Sequence, residues 1–187
     1  MLERILPKAK SLIEEIAEEN DILIDATCGN GHDTKFMAEL TGPSGKVYSF
    51  DIQEDAINNA KKLTQGMTNI QFIQDSHANA DNYISSNVKA AMFNLGYLPK
   101  GDKSITTKSE STLIAVAQIL NTLVPGGRIV VVVYHGHPNG KEEKDALYYF
   151  LSDLPQDKAK VLEYRFINQQ NNAPFIFCIE KAHTADS

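Results

Sequence analysis

Three carboxylates and one carboxamide stand where apolar runs end. Asp25 closes Ile22-Leu23-Ile24, and Thr27-Cys28-Gly29-Asn30-Gly31 follows, a loop poor in large side chains. A short buried strand, a glycine turn and a helix starting near Asp33 make a place where a ligand reaches bare backbone. A dinucleotide fingerprint would need a third glycine where Thr34 stands. Asp51 ends the next apolar run, 20 residues beyond Gly31. An acid at that distance, at the tip of a second strand, can accept both hydroxyls of a ribose. Without a ligand the glycine loop is only a tight turn and Asp51 only a helix N-cap, a role open to Glu54 or Asp55 as well.

Asp75-Ser76-His77 follows the third apolar run and Asn94 sits near the end of the fourth. The first trio also reads as a capped helix start, and Asn94 as a plain strand end. His135 and His137 follow a fifth, fully apolar run. No cysteine or carboxylate cluster stands at metal spacing, so no metal is expected, and the histidines are read as substrate contacts or proton carriers. The polar, basic segment Lys100–Lys108 offers Lys100, Lys103 and Lys108 to phosphates, or is a solvated turn. Cys28 lies in the glycine loop as a ligand contact or a small packing residue.

The elements that must hold these groups alternate. Leu2–Glu19 reads as an amphipathic helix with Leu2, Ile5, Leu6, Ala9, Leu12, Ile13 and Ile16 on one face. Strands are expected at 22–25, 46–53, 69–74, 88–95 and 128–134. Helices are expected from Asp33, over 54–64, 78–85 and 109–123, and over 142–151. On the helix over 109–123, Leu113, Ile114, Ala117, Leu120 and Val124 form the apolar stripe, and Pro125-Gly126-Gly127 stops it. Two closing strands, 159–167 and 174–181, flank the polar hairpin loop Asn168–Ala173. No repeat or linker divides the chain, so one domain is expected.

Hydrophobic residues make up 42% of the 187-residue chain and charged residues 22%, which suits a globular core. The net charge of −6 excludes a broad basic face for nucleic acid, so any such contact must be local. Two lone cysteines suit a reducing cytoplasm. No run approaches the roughly 18 apolar residues of a membrane span.

The strand-loop-helix around Asp25 resembles motif I of S-adenosylmethionine (SAM) dependent methyltransferases, with Thr27 in place of the usual first glycine. Asn94-Leu95-Gly96-Tyr97 resembles the Asn/Asp-Pro-Pro-aromatic box of amine-directed methyltransferases, without its prolines. Taken together, DATCGNGHDT, FDIQ, DSHAN, NLGYLPKGDKSITT and VVYHGHPNGKEE resemble one small bacterial family across nearly the whole chain. That family is known as rRNA methylases, and its better-defined members methylate 5-aminomethyl-2-thiouridine at the tRNA wobble position. The resemblance implies a Rossmann-like class I α/β fold: a mostly parallel seven-stranded sheet, a C-terminal antiparallel hairpin and helices on both faces. It implies SAM as donor, a tRNA anticodon loop as substrate, and admits a homodimer.

By the same resemblance the donor's site comprises Asp25, Cys28, Gly29, Asn30, Gly31 and His32 around the loop. Asp51 and Gln53 sit at the ribose, and Asp75, or the backbone of Ser76 and His77, at the adenine. Asn94 would accept hydrogen bonds from the substrate amine, Tyr97 would pack on the base, and His135 or His137 would take the proton, unless water does. Lys100, Lys103, Thr106, Lys108 and His137 would hold RNA. A methylase acting on rRNA or a small amine, and a non-catalytic SAM- or nucleotide-binding module, remain open alternatives.

Overall fold

A computed structural model describes residues 1–95, 109–136 and 138–183, apart from the side chains of Ser109 and Asn139. Tyr97, Lys100, Lys103, Thr106, Lys108 and His137, given roles above, lie outside the described residues.

Seven strands form one sheet: β1 (Ile22–Asp25), β2 (Lys46–Asp51), β3 (Ile70–Gln74), β4 (Val88–Leu95), β5 (Leu123–Val133), β6 (Ala159–Tyr164) and β7 (Phe175–Lys181). Their order is β3-β2-β1-β4-β5-β7-β6, with β7 antiparallel to both β5 and β6 and every other pair parallel. The chain reverses direction across the sheet between β1 and β4, and this switch point opens the crevice used by ligands in such sheets. The register pairs Asp25 with Ser49, Asp51 with Gln74 and Asn94 with Val132. The strand-end groups singled out above therefore meet along the carboxyl edge.

Alternation on a sheet covered on both faces builds two apolar layers. Ala91, Phe93 and Leu95 of β4 join Val131 and Val133 of β5 on one side, under α4 (Ser109–Thr122) and α5 (Pro138–Ser152). Ala90 and Met92 join Val130 and Val132 on the other, under α1 (Ile5–Glu14) and α2 (His32–Thr41). The remaining long helix, α3 (Glu54–Leu63), packs by Ile57 and Ala60 against Cys28. Each fully buried aliphatic side chain contributes about 1.5–3 kcal/mol, which makes these layers the source of the fold's stability.

Several expectations need correction. The first helix is shorter than Leu2–Glu19. It buries Ile5, Ala9, Leu12 and Ile13, whereas Leu2 and Leu6 are 74% and 48% exposed. Pro7 sits in its first turn, where no intrahelical donor is lost. On α4 the buried stripe is Thr112, Ala115, Val116 and Ile119, and Ile114 faces water. Leu113 to Ala117 is one unbroken apolar run, so its periodicity does not specify the packed side, and the packed face lies one residue round from the expected stripe. The segment after β3 is only a short 3-10 turn, His77–Asn82. β5 begins at Leu123, and Gly126 at φ +80° carries the chain through the Pro-Gly-Gly kink inside the strand. α5 starts earlier than expected, at Pro138, a residue suited to a first helical turn. β6 stops at Tyr164 rather than residue 167.

Candidate active site

The loop after β1 is held from beneath. Asp25 is fully buried, and its carboxylate accepts hydrogen bonds from the Thr27 amide (3.1 Å) and the Thr34 hydroxyl (2.6 Å). The Thr34 hydroxyl also lies 2.7 Å from that of Ser49, tying α2 to β2. Burial, followed by repulsion from Asp33, pushes the Asp25 carboxyl up to about 7. The structure thus places Asp25 as a pillar under the loop rather than on the crevice wall. Cys28 is buried beside it, and burial raises its thiol to about 12. At that value the thiol is uncharged and unreactive at neutral pH.

Asp51 fastens the loop from the β2 side. One carboxylate oxygen accepts the Gly29 amide and the other the Gln53 amide, both at 2.9 Å. Each oxygen keeps a second lone pair, which leaves the two acceptors a ribose diol needs. Ile52, next in the chain, is 51% exposed and offers an apolar side chain beside that position. An exposed large apolar residue directly after a strand-end acid was the available clue to it. Gly31 caps α2 at φ +92°, and a Cβ there would lie 2.6 Å from the Ala60 Cβ, so only glycine lets α3 approach. No side chain caps α2, leaving its N-terminal amides to an anionic group such as the carboxylate of SAM. Asn30 and His32 are exposed, and Asn30 receives a hydrogen bond from Asn59 at 3.3 Å. A ribose acceptor pair, an uncapped helix start and a loop of small residues together fit the donor.

After β3 the three residues part company. Asp75 accepts hydrogen bonds from the Ser76 amide, the Asn79 carboxamide and the Tyr83 hydroxyl. The bonds from Asn79 and Tyr83 hold its carboxyl below the usual range. Ser76 caps the 3-10 turn by accepting the Ala78 amide. His77 points inward: its ring is 7% exposed, packs on Phe93, and donates from Nδ1 to the Ala26 carbonyl at 2.9 Å. Burial lowers its pKa, so it is a neutral brace for the end of β1.

Asn94 joins the loop to the far wall. Its backbone amide donates to the Thr27 hydroxyl at 2.7 Å. Threonine in place of the usual glycine thus ties the loop after β1 to the backbone of Asn94. The Asn94 side chain is hydrogen-bonded to the Tyr134 hydroxyl, which burial pushes above its usual range and which also feels the charge of Asp33. Neither Tyr134 nor Asp33 was singled out from sequence; Tyr134 was hidden as the last residue of an apolar run. His135 follows, half-buried, donating from Nε2 to the Ala173 carbonyl at 2.9 Å and packing edge-on against Phe175. The crevice therefore gathers Asp51, the glycine loop, Asn94 and Tyr134, with His135 at its β5 side.

The sheet order and this ribose-and-amide crevice define a class I, SAM-dependent methyltransferase fold. The chain belongs to the family described as "Putative rRNA methylase", whose profile matches residues 47–180. Among its relatives is the Arabidopsis thaliana "tRNA (mnm(5)s(2)U34)-methyltransferase, chloroplastic", 35% identical over 181 residues. That match covers 90% of this chain, which spans 66% of the plant protein's length. The crystal structure of a "putative rRNA-methylase" from Clostridium thermocellum is 44% identical with a TM-score of 0.95, covering 97% of this chain and 99% of that one. The crystal structure of "a putative methyltransferase" from Streptococcus mutans in complex with SAH is 38% identical with a TM-score of 0.90, at the same coverage.

Proposed function

We propose that this chain acts as one cytoplasmic methyltransferase domain, moving the methyl of SAM to the primary amine of 5-aminomethyl-2-thiouridine at the tRNA wobble position. The product is the 5-methylaminomethyl form. What carries the reading is Asn94, its backbone held by Thr27 and its carboxamide bonded to Tyr134, at the lip of the crevice that holds Asp51. It does so in a chain 35% identical to a plant protein named for this reaction.

The residues do positional work. SAM supplies an electrophilic methyl, and the protein must bring the amine nitrogen in line with it. Asp51 and the loop hold the nucleoside end of the donor. The Asn94 carboxamide accepts an N–H of the amine and aims its lone pair, while Thr27 and Tyr134 keep Asn94 in place. An alkyl amine is mostly protonated near neutrality and must shed a proton before attack. A low dielectric and a nearby positive charge both favour its neutral form. With Nε2 of His135 donating to the Ala173 carbonyl, Nδ1 is the nitrogen left to take that proton. A wobble base is already partly unstacked, so presenting it to the crevice costs little.

The test is methyl transfer from labelled SAM to tRNA from cells lacking the last step of this modification, read by nucleoside mass spectrometry. One methyl added to 5-aminomethyl-2-thiouridine is expected. Label in rRNA alone, in a small amine alone, or in nothing would overturn the assignment.

A further inference from the structure

β7 runs antiparallel to β5 and pairs Phe175 with Val133, so the turn joining β6 to β7 lies at the carboxyl edge, beside the crevice. From Asn168 to Asn172 this turn carries five carboxamides in succession. All five are exposed, and none of their side chains hydrogen-bonds to a described residue. The turn is nevertheless fastened. Ala173 receives the His135 bond, the Gln169 amide donates to the Phe166 carbonyl, and Arg165 lies over the Phe175 ring at 5.6 Å. Asn171 and Asn172 both hold positive φ, at 64° and 51°, a conformation asparagine tolerates better than most residues. Ile167, beside the amides, is 89% exposed.

We propose that this turn reads the unpaired bases of the RNA brought to the crevice; the inference rests on the RNA substrate of the preceding section. A carboxamide offers a donor and an acceptor side by side and can pair with a base edge in two hydrogen bonds. Five of them on a fastened turn can do so without a prior ordering step. Residues 166–173 carry no charge, which resolves how a chain of net charge −6 approaches a polyanion: this contact is made of neutral dipoles and one apolar side chain. Ile167 supplies a surface for a splayed base, and Arg165, anchored on Phe175, supplies a cation for a phosphate.

The probe is a synthetic, unmodified anticodon stem-loop, with binding to the whole protein read by fluorescence anisotropy. In the variant Asn168→Ala/Gln169→Ala/Gln170→Ala the two positive-φ asparagines stay. Its affinity for the stem-loop should fall about tenfold or more, with melting temperature and SAH affinity unchanged. Because the lost contacts are uncharged, the ratio of wild-type to variant affinity should be the same at low and high salt. Gln169→Glu/Gln170→Glu should weaken binding further, and salt should relieve that extra loss. Equal affinity of wild type and the alanine variant, a ratio that collapses with salt, or no stem-loop binding by wild type would overturn the proposal. Wild-type methyl transfer to the wobble uridine with an indifferent alanine variant would sink the turn's role alone. Turn-dependent binding without that methyl transfer would sink the chosen nucleoside and leave the turn's role standing.

Discussion

Replacing Glu143 by glutamine should stabilise the protein at pH 8 and leave it unchanged at pH 4. Glu143 lies on α5, is 3% exposed, and accepts a short hydrogen bond from the Thr112 hydroxyl of α4. Burial pushes its carboxyl from 4.5 up to about 7. Between those values the folded chain keeps a proton that the unfolded chain has lost. Stability therefore falls as pH rises through the window, and the loss is complete above about pH 7. A gap of about 2.5 pH units, at 1.36 kcal/mol per unit, corresponds to roughly 3 kcal/mol. Glutamine keeps the shape and an acceptor for Thr112 but never ionises, so the variant escapes this penalty. For a chain of this size that is roughly 6–12 °C in Tm at pH 8. Asp25 imposes a similar slope on both proteins, so the informative quantity is the difference between them. Urea unfolding followed by circular dichroism, at steps from pH 4 to pH 8, measures it. A difference that stays flat across the window, or a variant less stable at pH 8, would refute a protonated carboxyl between α4 and α5.

Asp51→Ala should weaken SAH binding about 100-fold or more by calorimetry, since two charge-assisted bonds to the ribose are lost, while costing the fold less than that. Gly31→Ala places a methyl group 2.6 Å from the Ala60 Cβ at a positive φ; a loss of about 1–3 kcal/mol in urea unfolding and weaker SAH binding are expected. Tyr134→Phe keeps the ring but removes the bond to Asn94, so kcat should drop roughly tenfold while SAH affinity stays at the wild-type value. An unchanged single-turnover rate would remove Tyr134 from the positioning of the amide.

The strand ends were readable because burial on both faces writes continuous apolar runs, and a polar residue closing such a run stands out. That signal located Asp25, Asp51, Asp75 and Asn94 within a residue or two of the carboxyl edge. It did not say which way each side chain turns. Asp25 and Asp51 look alike in sequence, yet one is sealed under the loop and the other fastens it from the crevice side. His77 was expected beside the adenine through its backbone; where its ring goes, onto the Ala26 carbonyl, had no sign in the sequence. Tyr134 was invisible because a tyrosine after four valines reads as more core.

Sequence alone determined the order of strands and helices, the glycine at position 31 and the acid that closes β2, because these follow from local periodicity and backbone sterics. Tertiary structure decided which carboxylate is sealed under the loop and which keeps lone pairs toward the crevice, the tie from Thr27 to Asn94, and the meeting of His135 with the β6–β7 turn across 38 residues. Those outcomes depend on strand order and on the burial of each polar group, and both arise only when distant segments share one sheet.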